Sequence, residues 1–316
     1  MTRPTSQLRC LCLTGPTACG KTDLALELAE RLPLEIVSMD SAMVYRGLDI
    51  GTAKPSPAVR VAVPHHLVDF LDARDAYSAG RFAVDALRAI REIAARGKLP
   101  LLVGGTLLYL RALRDGLATL PRADAAVRAS LDAEARELGW SALHERLRSI
   151  DPVAAARIAA TDRQRIQRAL EVHALTGRPL SELQRAPRLE PELEIATVAL
   201  LPPDRADLAA RVERRFDAMV EAGFVAEVHR LRQRGDLDID LPALRAVGYR
   251  QIWQHLEGQF DWPEAHRRAV VATRQLAKRQ LTWLRSDTVS ERWTAFDGGL
   301  GSRFLARARR FASDAI

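Results

Sequence analysis

The sequence has 316 residues, of which 47% are hydrophobic and 28% charged, which is typical of globular proteins and excludes disorder over most of the chain. Its 47 basic and 40 acidic residues give a formal net charge of +7, which suits a nucleic acid but is also common in proteins without such a partner. The 3 cysteines lie close together near the start and form no Cys-x-x-Cys pair, which excludes a disulfide framework and favours a reducing cytoplasm. The longest apolar run, 99–110, is broken by glycines, so we expect no membrane partner.

Strands and helices alternate over the first part of the chain. An apolar strand at Leu8–Thr14 precedes a helix at 21–32, and a second strand follows at Leu34–Met39. A helix capped by Ser78 and a strand at 101–104 continue the pattern. This alternation predicts an α/β fold with a parallel sheet covered by helices on both faces.

The pattern changes after residue 117. Residues 118–194 are predicted to form amphipathic helices, separated at Gly139-Trp140, at Asp151-Pro152 and around Gly177. A strand at 195–200 then resumes the sheet, and mainly helical sequence follows. We therefore predict a core of residues 1–117 and 195–316 that carries an all-helical insertion domain.

One motif predicts phosphate binding. The pattern G-x-x-x-x-G-K-[ST] is matched in full, between a strand and a helix, by Gly15, Pro16, Thr17, Ala18, Cys19, Gly20, Lys21 and Thr22. In such a P-loop, backbone amides and the helix N-terminus bind the phosphate oxygens, the lysine adds charge, and the Thr22 hydroxyl ligates Mg²⁺. We interpret Cys19 as a small residue of the loop and keep a reactive thiol as the alternative.

Two further segments follow strands that end near this loop. Asp40 comes directly after the second strand, where a carboxylate can ligate Mg²⁺ or accept a proton; an Asp that only caps the next segment is the alternative. The turn Gly104-Gly105-Thr106 stands where an ATPase would carry its Mg²⁺-binding aspartate, so the sequence argues against ATP hydrolysis.

Basic residues concentrate in two predicted helices. Arg267, Arg274, Lys278 and Arg285 are spaced to lie on one helical face, which favours nucleic acid over a merely solvated surface. Residues 162–168 form a second cluster of basic and amide side chains. His65-His66 has no third ligand nearby, and we interpret it as structural.

In combination, these segments resemble the tRNA dimethylallyltransferase (tRNA isopentenyltransferase) family, in its compact bacterial form. The most specific match is the run from Asp40 to Pro55, which contains Tyr45-Arg46-Gly47 and Asp49-Ile50-Gly51-Thr52-Ala53-Lys54. Further matches cover residues 64–67, 77–78, 168–172, 176–181, 247–251 and 278–280. Cys19 and Met43 depart from the commoner serine and glutamine of the family.

The resemblance implies transfer of a dimethylallyl group from dimethylallyl diphosphate to N6 of the adenosine next to the anticodon (position 37), in tRNAs reading codons that begin with U. It implies a P-loop NTPase-like fold with Mg²⁺ as cofactor, and no consumption of ATP. Asp40 resembles the general base of the family, Thr106 a residue at the target nucleotide, and Arg215 an arginine at the diphosphate. Thr22 completes the expected catalytic residues.

The resemblance also implies a tRNA contact surface, with the helical insertion gripping the anticodon stem-loop. The residues expected in it are Asp40, Ser41, Ala42, Met43, Thr106, Arg128, Gln164, Arg165, Ile166, Gln167, Arg168, Arg245, Gly248, Tyr249, Arg250, Arg274, Lys278, Arg279, Trp283 and Arg285. We expect a cytoplasmic monomer. The rival interpretations are an isopentenyltransferase that modifies free AMP, a P-loop kinase of small metabolites, and an RNA-binding protein without catalysis.

Overall fold

The computed structural model describes residues 8–116, 120–185, 193–288 and 290–313. The chain divides into two compact units, one formed by Met1–Arg114 with Pro191–Ile316 and the other by Asp115–Glu190. These limits lie within a few residues of the boundaries that the sequence predicts for the core and the insertion. None of the described helices is both long enough and apolar enough to cross a membrane.

The first unit contains a six-stranded sheet in which all paired strands are parallel. The strands are β1 (Leu8–Thr14), β2 (Leu34–Met39), β3 (His65–His66), β4 (Leu99–Gly104), β5 (Leu193–Leu201) and β6 (Glu291–Thr294). Their spatial order is β3-β2-β4-β1-β5-β6, which confirms the predicted α/β fold. The two edge strands were not predicted, because β3 has only two residues and β6 buries a single side chain, Trp293.

Nine helices of the first unit lie within the described residues. They are α1 (Lys21–Ala29), α2 (Pro57–Ala62), α3 (Ala79–Ala95), α4 (Leu107–Arg114), α10 (Arg205–Glu221), α11 (Phe224–Gln233), α12 (Tyr249–Leu256), α13 (Trp262–Ser286) and α14 (Leu300–Ser313). Ser78 caps α3 as predicted, because its hydroxyl accepts a hydrogen bond from the Arg81 amide. Helix α1 ends earlier than the predicted residue 32.

Helices cover both faces of the sheet because side chains alternate along each strand. Cys10 of β1 packs in a layer with Phe82 of α3, whereas its neighbour Leu11 packs in the opposite layer with Leu24 of α1. The predicted covering of both faces is therefore confirmed. Cysteines of β1 are core residues, which explains their clustering in the sequence.

The second unit is helical throughout its described residues, 120–185. It comprises α5 (Ala125–Leu138), α6 (Trp140–Ile150), α7 (Pro152–Ala155), α8 (Arg163–Thr176) and α9 (Leu180–Leu183). The helix boundaries coincide with the predicted breaks, and Gly139 and Gly177 have positive φ values of 83° and 67°. The unit has its own core, which includes Leu143, Leu147 and Leu170.

Three loops of the first unit begin at one edge of the sheet. Thr14 ends β1, Met39 ends β2 and Gly104 ends β4, and Gly104 is the register partner of both other residues. Because the strands are parallel, the segments that follow them meet at this edge, where open α/β sheets bind ligands. The P-loop, Asp40 and Thr106 all start there.

Candidate active site

The phosphate loop between β1 and α1 has a backbone that requires its glycines. Gly20 begins α1 with a φ of 74°. Gly15 has a φ of 152°, and a Cβ there would lie 2.6 Å from the carbonyl oxygen of Leu200. No described side chain caps α1, so its first amides remain available to an anion. The loop therefore has the features of a phosphate site.

Lys21 holds this loop from within. Its Nζ donates hydrogen bonds to the carbonyl oxygens of Gly15 and Pro16, at 2.9 and 2.7 Å. The pKa of Lys21 is lowered to about 8, mainly by burial; Arg215 contributes to this shift, whereas Cys19 and Asp40 partly oppose it. The groups around Lys21 thus balance only part of its positive charge, which leaves the ammonium group suited to an anionic ligand.

A cavity of about 1130 Å³ opens beside the P-loop. The described residues that line it include most of the predicted catalytic and diphosphate-binding set, namely Thr17, Ala18, Cys19, Gly20, Lys21, Thr22, Asp40, Thr106 and Arg215. The volume is at the upper end of typical small-molecule sites and exceeds what a diphosphate alone would fill. The cavity has room for a second reactant.

Asp40 and Thr106 are oriented by backbone contacts. The Asp40 Oδ1 accepts hydrogen bonds from the amides of Ala42 and Met43, at 2.8 and 3.2 Å. The Thr106 hydroxyl accepts one from the Ser41 amide at 3.2 Å, which leaves its own hydrogen free to donate. Asp40 therefore does cap a turn, but no described residue bonds to its Oδ2, so one carboxylate oxygen is available to a substrate.

Arg215 on α10 brings a second cation to the cavity. Its guanidinium forms no hydrogen bond or ion pair with another described residue. Burial lowers the pKa of Arg215, and the nearby carboxylates of Asp40 and Asp23 partly oppose this shift. An arginine remains charged nonetheless. Its place beside Lys21 makes this end of the cavity strongly positive.

Gln280 on α13 is a site residue that the sequence interpretation missed. Its side-chain Oε1 accepts a hydrogen bond from the Thr17 amide at 3.0 Å, and its Nε2 donates one to the Gly105 carbonyl at 2.9 Å. A basic helix was predicted here, but nothing in the neighbouring sequence indicates that the Gln280 side chain is buried and faces the P-loop. The family resemblance covers residues 278–280, but only the packing of α13 against the P-loop shows what Gln280 does there.

Comparison with known proteins agrees with this geometry. A family model described as IPP transferase matches residues 43–287. The chain belongs to the IPP transferase family. A curated relative named tRNA dimethylallyltransferase, from Burkholderia thailandensis, is 61% identical over 279 residues, which cover 87% of this chain and 86% of the relative. The matched residues of the family model begin after the P-loop, so the loop geometry is a separate observation.

Solved structures extend the likeness of this IPP transferase to the fold. The full-length tRNA isopentenylpyrophosphate transferase from Bacillus halodurans has a TM-score of 0.70 at 35% identity, and the match covers 98% of each chain. A eukaryotic dimethylallyltransferase, described as acting on tRNA, has a TM-score of 0.76 at 25% identity, with 97% of this chain and 80% of that chain covered.

The environment of Cys19 in this IPP transferase disfavours a reactive thiol. The residue is 1% exposed, and burial raises the pKa of its thiol to about 11. The thiol is therefore protonated near neutral pH, and a protonated thiol is a poor nucleophile. The interpretation of Cys19 as a small loop residue agrees with this environment.

The basic face of α13 is only partly free. Arg267 pairs with Glu264 at 2.7 Å, and Arg274 pairs with Glu213 of α10 at 2.6 Å. Lys278 and Arg285 are exposed and form no ion pair with a described residue. The predicted stripe is therefore not free of acidic partners: Glu264 pairs with Arg267 at (i, i+3) spacing on α13, and Glu213 of α10 pairs with Arg274. Arg279 and Trp283 line the cavity.

In the second unit, the basic cluster of α8 is partly internal. Ile166 is fully buried in the core of the unit, so its side chain is not exposed to a tRNA in this structure. Arg128 and Arg168 both pair with the buried carboxylate of Glu171, at 2.8 and 2.7 Å. Gln167 donates a hydrogen bond to Asp132. Among the predicted contacts in this unit, Gln164 and Arg165 have exposed side chains.

The segment before α12 needs a similar correction. Tyr249 is fully buried and its hydroxyl bonds to Glu227, so its side chain does not reach a tRNA surface. Gly248 is buried with a φ of 92°, and a Cβ there would meet the Phe224 ring at 2.7 Å. Both residues serve the packing of α11 and α12. Arg245 and Arg250 are exposed, and Arg245 lines the cavity.

His65 and His66 have structural partners. The His66 Nε2 lies 2.6 Å from Glu35, and Arg96 and Lys98 also pair with this carboxylate, at 2.6 and 3.0 Å. Burial would raise the pKa of Glu35, but these three hydrogen bonds outweigh it and lower the pKa to about 2. His65 bonds the carbonyl oxygen of Val63.

Proposed function

We propose that this IPP transferase moves a dimethylallyl group from dimethylallyl diphosphate to N6 of adenosine 37 in tRNA. The observation that carries the proposal is that an intact P-loop shares one cavity with a free carboxylate oxygen on Asp40 and a free hydroxyl hydrogen on Thr106. The names of its relatives support both the transferred group and the tRNA acceptor.

The P-loop end of the cavity is assigned to the donor diphosphate. The loop amides, Lys21 and Arg215 provide positive charge where the leaving group gains negative charge. Apolar side chains of Met219, Phe224 and Val247 line another part of the wall and suit a five-carbon chain. These features bind the donor and favour its departure as diphosphate.

Mg²⁺ fits the donor atoms at this end. The Thr22 hydroxyl lines the cavity beside the Asp23 and Asp40 carboxylates, and oxygen ligands are those that Mg²⁺ prefers. Among the described residues, no cluster of three His, Cys, Asp or Glu forms an all-protein site. We assign Thr22 as the protein ligand; the bound ion would add positive charge at the diphosphate.

The proposed reaction exchanges one bond for another. The C–O bond between the allylic carbon and diphosphate breaks, and a C–N bond forms between that carbon and N6 of the adenine. The free oxygen of Asp40 accepts the proton that N6 loses, and the Thr106 hydroxyl donates a hydrogen bond to the base. The adenosine must leave its stack to reach the cavity.

We assign tRNA binding to exposed cations and amides in both units. Lys278 and Arg285 are the two members of the α13 stripe that form no ion pair with a described residue, and Gln164 and Arg165 are exposed in the second unit. Phosphate contacts of this kind supply affinity without reading sequence. We further propose that the protein acts as a cytoplasmic monomer; its cysteines Cys10, Cys12 and Cys19 are buried and free, as is usual in a reducing compartment.

One assay separates this function from its rivals. Radiolabelled dimethylallyl diphosphate is offered to tRNA, to AMP and to no acceptor, and phosphate release from ATP is measured in parallel. We expect label in tRNA alone and no phosphate release. Label in AMP would identify a free-nucleotide enzyme, and stoichiometric ATP hydrolysis a kinase or ATPase.

A further inference from the structure

The side-chain amide of Gln280 bridges two loops that are distant in the sequence. It is 9% exposed, and its two polar atoms bond to Thr17 of the P-loop and Gly105 of the turn after β4. Thr17 lies 263 residues from Gln280. The bridge therefore exists only because α13 packs against this edge of the sheet.

The chemistry of the two partners requires an amide at this position. A backbone N–H can only donate and a backbone carbonyl can only accept, so the bridging group must offer both functions. Glutamate lacks the donor, and methionine of similar shape lacks both. A Cβ on Gly105 would lie 2.5 Å from the Gln280 Nε2, so the glycine leaves the space that the amide occupies.

The P-loop is consequently held at successive peptide groups from two sides. Lys21 donates to the carbonyl oxygens of Gly15 and Pro16, and Gln280 accepts from the Thr17 amide, which belongs to the same peptide group as the Pro16 carbonyl. A loop ordered before its ligand arrives loses less conformational entropy on binding. We propose that Gln280 is a positioning residue that preorganises the P-loop for diphosphate; this rests on the diphosphate-binding role proposed above.

The test is binding of inorganic diphosphate to the Gln280→Met protein. Loss of the bridge should weaken the affinity for diphosphate roughly tenfold, because the free energy that ordered the loop, comparable to one net hydrogen bond, must then come from binding. The KM for dimethylallyl diphosphate should rise by a similar factor, while kcat at saturating donor and the Kd for tRNA stay close to wild type. Gln275→Met, which changes an exposed glutamine on the same helix, is the matched control and should behave as wild type.

A second variant reaches the same bridge from the other side. Gly105→Ala places a methyl group 2.5 Å from the Gln280 Nε2 and 3.1 Å from the Gly15 carbonyl oxygen, so it should displace the amide and reproduce the loss of affinity. Most of that loss should disappear in the Gln280→Met background, so the double variant should be little worse than either single one. Amide hydrogen exchange at Thr17 should accelerate in both.

Unchanged diphosphate affinity and Thr17 protection in Gln280→Met would overturn the proposal. An equal loss of tRNA and diphosphate binding, with a lowered Tm, would also overturn it by showing a general structural role. A wild-type protein that binds no inorganic diphosphate would instead refute the proposed function on which it rests.

Discussion

Donor affinity should depend on pH through the ammonium group of Lys21. Burial lowers the pKa of Lys21 to about 8 in the ligand-free cavity. A bound diphosphate favours the charged ammonium and therefore raises this pKa. Binding above pH 8 must then take up a proton, so the affinity falls as the pH rises.

The size of the effect follows from the fraction of protein that carries the charge. A group with a pKa of about 8 is roughly nine-tenths protonated at pH 7 and roughly one-tenth protonated at pH 9. The Kd for dimethylallyl diphosphate should therefore rise about tenfold between these values, equivalent to about 1.4 kcal/mol. The phosphates of the donor are already largely ionised over this interval, since phosphate groups have a second pKa of about 6.

Calorimetric titration with donor and no tRNA measures this dependence without turnover. Repeating it at pH 9 in buffers of different ionisation enthalpy counts the protons taken up, and we expect close to one. Lys21→Met should bind more weakly at every pH and lose the dependence. A wild-type Kd that is equal at pH 7 and pH 9, or a dependence that persists in Lys21→Met, would refute the role of this ammonium.

Five other substitutions test separate parts of the mechanism and the fold. Asp40→Asn should lower the single-turnover rate ~10²–10⁴-fold with the Kd for tRNA unchanged, whereas weaker donor binding that added Mg²⁺ restores would make Asp40 a metal ligand instead. Thr22→Ala should lose ~10²–10³ in rate, and wild-type turnover would exclude the Mg²⁺ assignment. Lys278→Ala and Arg285→Ala should each reduce the log–log salt slope of tRNA binding by about one unit, and an unchanged slope would indicate a merely solvated face. Because the pKa of Glu35 is lowered to about 2, its charged form contributes on the order of 3 kcal/mol to the free energy of unfolding above pH ~4.5, and this contribution is lost as the pH falls towards 2. The stability of Glu35→Gln, followed by circular dichroism, should therefore depend less on pH in this acidic range.

The sequence was sufficient for the features that local spacing encodes. The P-loop conformation depends on a short run from Gly15 to Thr22, and the meeting of Asp40 with Thr106 follows from parallel strands that end at one edge. The helix breaks of the second unit follow from glycine and proline at defined positions. Such features need no knowledge of how distant elements pack.

The burial of individual side chains and the ion pairs between distant segments could not be predicted from the sequence. Tyr249 and Ile166 were expected at the tRNA surface, but their side chains are buried in the cores of the two units. Arg274 lies on a cationic face, yet its partner Glu213 comes from another helix. Gln280 is surrounded in sequence by charges and is nevertheless turned towards the P-loop. Each of these outcomes is decided by tertiary packing, which overrides a pattern read along one helix.

The ligand-free cavity carries an electrostatic cost that the donor relieves. Lys21 and Arg215 lie close enough for the arginine to lower the pKa of the lysine, and both are half-buried in the cavity wall. Two desolvated cations destabilise the empty fold, and the hydrogen bonds from Lys21 to its own loop only partly compensate. A diphosphate satisfies both cations at once, so the binding free energy includes relief of this repulsion. The same two cations then face the leaving group as its C–O bond breaks. They stabilise the negative charge that develops on the diphosphate in the transition state, and they need not reorient to do so.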